Sequence, residues 1–309
     1  MRYRRDNLCK RKGIGMKILN FGSLNLDYVY QVEHFVQPGE TLAALEQKVG
    51  PGGKGLNQSI AMARAGAEVW HAGCVGIGGE KLEQLLKENQ VHTEYLKMTN
   101  EIQGNAVIQV NSSGENCILL YGGSNRAITP KQIAETIENF EAGDYLVLQN
   151  EVNCLGEMVE AAAEKGLRIV LNPSPFEENL RNLDYHKLSW LLVNEIEASQ
   201  LTGESEPDKV WNYIHAEYPK LNVVMTMGNQ GAWCFTPQEK IFQPAIMVKA
   251  VDTTAAGDTF TGYFLQGVTI GEDLRECMKQ AAMAAALSVA KAGASDSIPY
   301  RDEVEMSLK

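Results

Sequence analysis

Val251-Asp252-Thr253-Thr254-Ala255-Ala256-Gly257-Asp258-Thr259-Phe260 is the stretch on which the reading of this chain turns. An extended apolar segment, 246–251, runs into three adjacent small residues, then an acid, then an apolar helical pattern predicted over 259–267. Three small residues in a row cost packing and backbone entropy, so they suit a place where something must come close to the main chain. A helix that opens there aims its unpaired N–H groups and the positive end of its dipole at that visitor, which suits an anion. Asp is also a favoured N-cap, and for Gly257-Asp258 alone the capping and functional readings stand level. The longer run from Asp252 is harder to reduce to a cap.

Outward from this corner, short apolar runs of buried-strand length at 17–21, 68–75, 145–149, 168–172, 190–193 and 222–227 alternate with helical patterns. The helices are predicted at 56–65, 81–89, 154–165, 195–201, 208–218, 259–267 and 274–291. This alternation predicts an α/β fold with a mostly parallel sheet flanked by helices. Two regions break it. Segments 28–47 and 106–121 show hairpin-like patterning, the second around the turn Asn111-Ser112-Ser113-Gly114. They form either a small separate sheet or an antiparallel extension of the main one.

The totals narrow the function classes. With 309 residues, 44% hydrophobic and 22% charged, the chain has the composition of a soluble globular protein of one or two domains. A net charge of -11 argues against general attraction to nucleic acid or to anionic membrane. No apolar run reaches membrane-spanning length. The six cysteines are scattered without a Cys-x-x-Cys, which points to reduced thiols, a cytoplasmic location and no zinc site. The five histidines have no metal-ligand spacing and read as surface or packing residues. Residues 1–16 are basic, lack an apolar signal core and read as a disordered leader or as a translation start placed too early. Residues 17–309 read as the folded domain.

Four further constellations accompany the corner. Gly50-Pro51-Gly52-Gly53-Lys54-Gly55-Leu56-Asn57-Gln58 lacks the Ser or Thr that follows Lys in a Walker A loop. Its glycines allow backbone contact with a ligand, and Lys54 and Asn57 offer donors to hydroxyls; a plain glycine-rich turn before a helix is the alternative. Asn25 and Asp27 are two residues apart, so in extended chain both point to one side, near a strand end where α/β sheets bind ligands. An Asx turn explains the pair equally well. Asn194-Glu195-Ile196-Glu197 has the spacing of a capping box, and the same Asn and Glu would also suit phosphates and a hydrated Mg²⁺. Thr226-Met227-Gly228-Asn229-Gln230-Gly231 is a strand end running into a turn, able to wrap a nucleotide or simply to close a hairpin. Together they favour phosphoryl transfer, in which the amides of Ala255, Ala256 and Gly257 form an anion hole and Asp258 takes the proton of the attacking hydroxyl.

In this order the motifs resemble those of the ribokinase-like (PfkB) carbohydrate kinases, over about 17–299. Asp252 to Phe260 is similar to the C-terminal signature of that family, and Gly52 to Gln58 to its N-terminal one. The lysine in the latter points to the ribokinase branch rather than to fructokinase-like or adenosine-kinase-like members. The resemblance implies a Rossmann-like domain with a small β-sheet lid, made by segments of about 28–50 and 104–122, and a homodimer joined through the lids. It implies that Asn25, Asp27, Gly53, Lys54, Asn57, Glu151 and Asp258 hold the sugar and that Asp258 is the base. Asn194, Thr226, Gly228, Asn229, Gly231 and Gly257 would contact ATP, and Glu197 would organise Mg²⁺ through water. A monovalent cation, K⁺, would sit near Asp252, Thr254, Ser288, Lys291, Gly293 and Ser297.

Three positions depart from the family pattern: Leu26 in place of Ala, Asn150 in place of an apolar residue, and Ala282-Met283 near the expected adenine pocket. The leading expectation is ATP-dependent phosphorylation of the primary hydroxyl of D-ribose. Kinase action on a nucleoside, deoxyribose or fructose-type sugar is the alternative, followed by a sugar binder without catalysis. A nicotinamide enzyme fits less well, because Gly22-Ser23-Leu24-Asn25 is not a Gly-x-Gly-x-x-Gly opening.

Overall fold

The structure is a computed structural model and describes residues 16–309, so the expected leader lies outside the described residues except for Met16. In chain order the strands are β1 (Ile18–Phe21), β2 (Asn25–Gln31), β3 (Glu46–Gly52), β4 (Val69–Ile77), β5 (His92–Ile102), β6 (Asn105–Val110), β7 (Asn116–Tyr121), β8 (Tyr145–Gln149), β9 (Arg168–Asn172), β10 (Leu188–Asn194), β11 (Asn222–Thr226), β12 (Ala232–Phe235) and β13 (Lys240–Gln243). The α-helices are α1 (Lys54–Arg64), α2 (Glu80–Glu88), α3 (Pro130–Ile137), α4 (Leu155–Lys165), α5 (Glu195–Thr202), α6 (Pro207–Glu217), α7 (Ala256–Ile270), α8 (Leu274–Val289) and α9 (Arg301–Ser307).

The main sheet has the order β13-β12-β11-β10-β9-β8-β1-β4-β5. It is parallel from β11 through β5, with β12 and β13 added antiparallel at one edge. Alternate residues of the central strands feed two apolar layers. Leu19, Leu146 and Leu148 pack with Ile133 of α3 and Met158 of α4, while Ile18, Tyr145 and Val147 pack with Ile60 of α1 and Phe264 of α7. Burial on both faces explains why these strands read as continuous apolar runs.

The breaks in the pattern resolve as a separate sheet of order β3-β2-β6-β7. β2 pairs antiparallel with β3 and parallel with β6, and β6 and β7 form the expected hairpin. The first expected hairpin is looser than its pattern suggests, with β2 and β3 joined by the long connection 32–45. The extended apolar stretch 246–251 pairs with no strand, and its residues Ile246, Met247 and Val248 wall a cavity. One other expectation is corrected: the helix expected to begin at Thr259 begins at Ala256, so the small residues belong to its first turn. Among the described residues no helix is long and apolar enough to cross a membrane.

Candidate active site

Two helix N-termini meet behind the small sheet. α1 starts at Lys54 from Gly53, whose φ of 96° is a backbone state that side chains disfavour. α7 starts from Ala255, in the left-handed region at φ 60°, with no side chain capping it. The helices lie close because Gly262 of α7 has no Cβ; one would stand 2.4 Å from Ala61 Cβ and 2.7 Å from Met62 N. Gly55 packs the first turn of α1 onto the end of β1 in the same way, where a Cβ would meet Ser23 N at 2.3 Å.

This contact brings Asp258 between two carboxamides. Asn57 Nδ2 donates to its Oδ2 at 3.0 Å and Gln58 Nε2 to its Oδ1 at 2.9 Å. The carboxylate is buried at 7% exposure, yet it lines a cavity of about 590 Å³. The first-turn amides open onto the same cavity. Ala256 N is drawn to Thr253 O at 3.3 Å, while those of Gly257 and Asp258 have no intrahelical acceptor. Ala255 itself is the left-handed N-cap of α7, and Ala255, Ala256 and Gly257 all line the cavity.

Lys54 reaches into the cavity from the other helix. Burial pulls its pKa down, but the charges of Asp258, Glu151 and Glu197 outweigh that and raise it above the ordinary lysine value. Glu151 accepts from Lys54 N at 2.9 Å and from Ser23 Oγ, which ties the end of β8 to both turns. Asn25 and Asp27 lie on β2, not in an Asx turn. Asn25 Oδ1 accepts from Asn125 Nδ2 at 2.7 Å. The carboxyl of Asp27 occupies the space a side chain at position 52 would need, 2.0 Å from an ideal Cβ on Gly52. Burial, and then the negative charge of Glu151, push the Asp27 pKa up from 3.8 to about 7. Asn57 Oδ1 is buried with no hydrogen-bond partner among the described residues, an acceptor available to a hydroxyl.

On the far side of Asp258 the cavity runs along the ends of β10 and β11. Asn194, Glu197, Thr226, Gly228, Asn229 and Gly231 all line it. The capping reading of Asn194 is correct: its Oδ1 accepts from Ile196 N and Glu197 N, and Glu197 Oε2 accepts from Asn194 N. The cap does not remove these residues from the cavity wall, so both readings hold at once. Gly231 has no room for a side chain, since a Cβ would lie 2.2 Å from Gln243 O. The remote end is aliphatic, walled by Ala282, Ala285, Ala286 and Val289 with Ile246 and Val248.

The segments expected to hold a monovalent cation also converge. Asp252 Oδ1 accepts from Thr254 N and Oγ1, and its Oδ2 accepts from Gly293 N at 3.0 Å. Burial works against the Asp252 charge, but the Thr254 and Gly293 bonds outweigh it and hold the carboxyl below its usual pKa. Ser288 Oγ and Ser297 Oγ are 2.7 Å apart. The side chain of Lys291 points elsewhere, to Glu303 at 2.8 Å, which leaves only its backbone for such a role. Among the described residues no cluster of three His, Cys, Asp or Glu side chains could hold a metal ion.

Sequence reasoning missed the support around Asp258. Gln58 was visible in its motif but had no role. Gln149, Asn20 and Asn172 carried no signal beyond being polar at or inside apolar strand runs, and Asn125 none beyond its place in a polar turn. His71, read as a surface or packing residue, is fully buried and bonds Ser59 Oγ through Nδ1 at 2.8 Å.

Comparison with known proteins bears on the family. The sequence matches the pfkB family of carbohydrate kinases over residues 16–301. It is 36% identical over 301 residues to a ribokinase of Staphylococcus aureus, covering 93% of this chain and 98% of that one. It is 33% identical over 298 residues to a deoxyribokinase of Salmonella typhi, covering 92% and 96%. The structure of Arabidopsis thaliana ribokinase complexed with ribose and ATP superposes with a TM-score of 0.82 at 29% identity, covering 96% of this chain and 99% of that one. Two N-terminal helix turns facing one carboxylate, the order of the motifs and a match over nearly the whole chain lead to one assignment: this chain belongs to the pfkB family of carbohydrate kinases, and is a ribokinase-like phosphotransferase.

Proposed function

We propose that the enzyme transfers the γ-phosphoryl group of ATP to the primary hydroxyl of a pentose, converting D-ribose to D-ribose 5-phosphate. The observation that carries this reading is the position of Asp258. Its carboxylate lines a long cavity with an aliphatic end and is tied, through the Asn57 bond and the charge of Lys54, to the polar cluster of Asn25, Asp27, Lys54, Asn57 and Glu151. The polar cluster takes the sugar and the cavity takes the nucleotide. The sugar oxygen attacks the γ-phosphorus, its proton passes to Asp258, and the bond to the β,γ-bridging oxygen breaks to release ADP. The first-turn amides of α7, with the lysine ammonium, offset charge on the transferring group.

Mg²⁺ suits this site as a hydrated ion, since Glu197 is a buried carboxylate on the cavity wall and Mg²⁺ usually keeps several waters. It would neutralise charge on the phosphates. The turn at Asp252 and Thr254, with Ser288, Gly293, Ser297 and the backbone of Lys291, is the proposed K⁺ site beside the anion hole. The small sheet serves as a lid that excludes water from the phosphoryl group. Its outer strand β7 exposes Ile118, Leu119, Leu120 and Tyr121, which favours a homodimer joined there. The location is cytoplasmic, in keeping with unpaired cysteines at 74, 117, 154, 234 and 277.

The test is ADP release over a panel of sugars and nucleosides. Asp258→Asn lowers kcat by roughly 10² to 10⁴ with the fold intact. Near-normal turnover in that variant removes Asp258 as the base. Lys54→Met and Asn57→Ala chiefly weaken sugar binding, and unchanged sugar affinity in both overturns the pocket. The similarity to a deoxyribokinase supports 2-deoxyribose as the second substrate, and a preference for it over ribose would reverse the order.

A further inference from the structure

A chain of buried carboxamides runs from Asp258 into the centre of the main sheet. Gln58 Nε2 gives one hydrogen to Asp258 Oδ1 at 2.9 Å and the other to Asn172 Oδ1 at 3.2 Å. Gln58 Oε1 accepts from Gln149 Nε2 at 2.8 Å. Gln149 Nε2 spends its second hydrogen on Asn20 Oδ1 at 2.9 Å. Asn20 Nδ2 donates at 2.8 Å to both Gly55 O and Ser59 Oγ. Ser59 Oγ lies 2.8 Å from His71 Nδ1. Gln58, Gln149, Asn20, Ser59 and His71 are each 0% exposed.

Each amide in this chain has its orientation fixed by its neighbours. A carboxylate and a backbone carbonyl can only accept, so Gln58 must present its NH₂ to Asp258 and Asn20 its NH₂ to Gly55. That leaves Gln58 Oε1 and Asn20 Oδ1 as acceptors on either side of Gln149, and both are met by one NH₂ group. Gln149 Oε1 finds no hydrogen-bond partner among the described residues and lies 2.5 Å from the place of a Cβ on Gly22. Packing alone would favour an apolar residue here, because a buried unpaired carbonyl is costly. At the far end Ser59, already an acceptor from Asn20, closes the chain on His71 Nδ1. Burial outweighs a bond to the Gly22 backbone and holds the His71 pKa down to about 4, which keeps the ring neutral at neutral pH.

We propose that Gln149 is a positioning residue for phosphoryl transfer: through Gln58 it fixes the rotamer of Asp258, so that the carboxylate meets the attacking hydroxyl in one orientation. The proposal rests on the assignment of Asp258 as base. Gln149 lies on β8 and reaches Asp258 only through Gln58, while Asn57 still holds the other carboxylate oxygen, so its effect is expected chiefly in turnover.

The test is a double-mutant cycle of Gln149→Met and Gln58→Met, read as kcat and KM for ribose and for ATP alongside thermal unfolding. Each single variant is expected to lose about 10- to 100-fold in kcat, with both KM values within about twofold of the parent. The double variant is expected to lose no more than the worse single one, because both act through the same bond. Independent structural roles would instead multiply the two losses, and that result, or parental kcat in folded Gln149→Met, overturns the proposal. Where a variant at 58 or 149 does not fold, Asn172→Ala carries the test at a half-buried position. It frees one hydrogen of Gln58 and is expected to lower kcat about threefold with both KM values unchanged; parental kcat overturns the proposal. Asp258→Asn separates the two levels. If it keeps parental turnover, the underlying base assignment fails; if it is inactive while the relay variants are normal, only the positioning role fails.

Discussion

Replacing Gly55 by Ala tests the placement of the catalytic constellation more severely than replacing any of its polar members. The added Cβ would lie 2.3 Å from Ser23 N, 2.5 Å from Gly22 C and 2.6 Å from Ser23 O, where ordinary contact begins at 3.4 Å. All three neighbours are backbone atoms at the end of β1, so no side chain can swing aside. The first turn of α1 must withdraw by about 1 Å, taking Lys54, Asn57 and Gln58 with it. Overpacking of this kind costs about 1–3 kcal/mol of stability, a few degrees in Tm. A shift of about 1 Å in positioning groups costs on the order of 10² in rate. The rate is therefore expected to fall much further than the stability. ADP release with ribose, read beside thermal unfolding by circular dichroism, measures both. Gly50→Ala is the control, since its Cβ meets nothing within 4 Å, and it should leave both properties near the parent. Parental kcat and Tm in Gly55→Ala would refute the claim that this close approach sets the site.

Three further outcomes follow from the same geometry. Gly257→Ala places its Cβ in open space on the first turn of α7, so Tm should hold or rise by the equivalent of about 0.5–1 kcal/mol while ATP use falls; unimpaired KM for ATP and kcat would count against phosphate binding at that turn. The Asp27 pKa is raised from 3.8 to about 7, so its protonated form favours the fold. That contribution is fully present below about pH 4 and is lost as pH rises through 7. Asp27→Asn should accordingly gain Tm relative to the parent between pH 5 and 8, and a constant difference across that range would contradict the burial argument. Glu197→Ala removes half of a capping box, with about 1 kcal/mol expected in thermal unfolding, and should also raise the Mg²⁺ needed for half-maximal turnover; a normal Mg²⁺ dependence would confine Glu197 to its cap.

Much of this site could be read from the chain because its motifs mark places where the backbone itself makes contact. Gly52, Gly55 and Gly231 are glycines for steric reasons visible in the structure, and such residues stand out in sequence. The alternation of buried runs gave away the parallel sheet, since β1, β8 and β9 have apolar partners on both faces. The carboxamide chain was hidden because its members come from β1, β8, β9 and α1, and only the neighbour order of the sheet brings Asn20, Gln149 and Asn172 together. A polar residue closing a buried strand, as Gln149 and Asn172 do, was the available signal. The role of 246–248 as a cavity wall was not legible, because an apolar extended stretch reads alike whether it lies against strands or lines a cavity. Asn194 shows that a residue can satisfy its capping explanation and still line the cavity.

The small sheet has a consequence for how the chain assembles. Its central pair is parallel, with Leu26 of β2 set against Asn105 of β6. No local turn can make that pairing; the polypeptide must first travel through α1, β4, α2 and β5 and return. Closing so long an excursion is slow unless the body has already drawn its ends together. The small sheet is therefore expected to be the last piece to form and the first to come apart, so its amides should exchange with solvent well before those of β1 and β8.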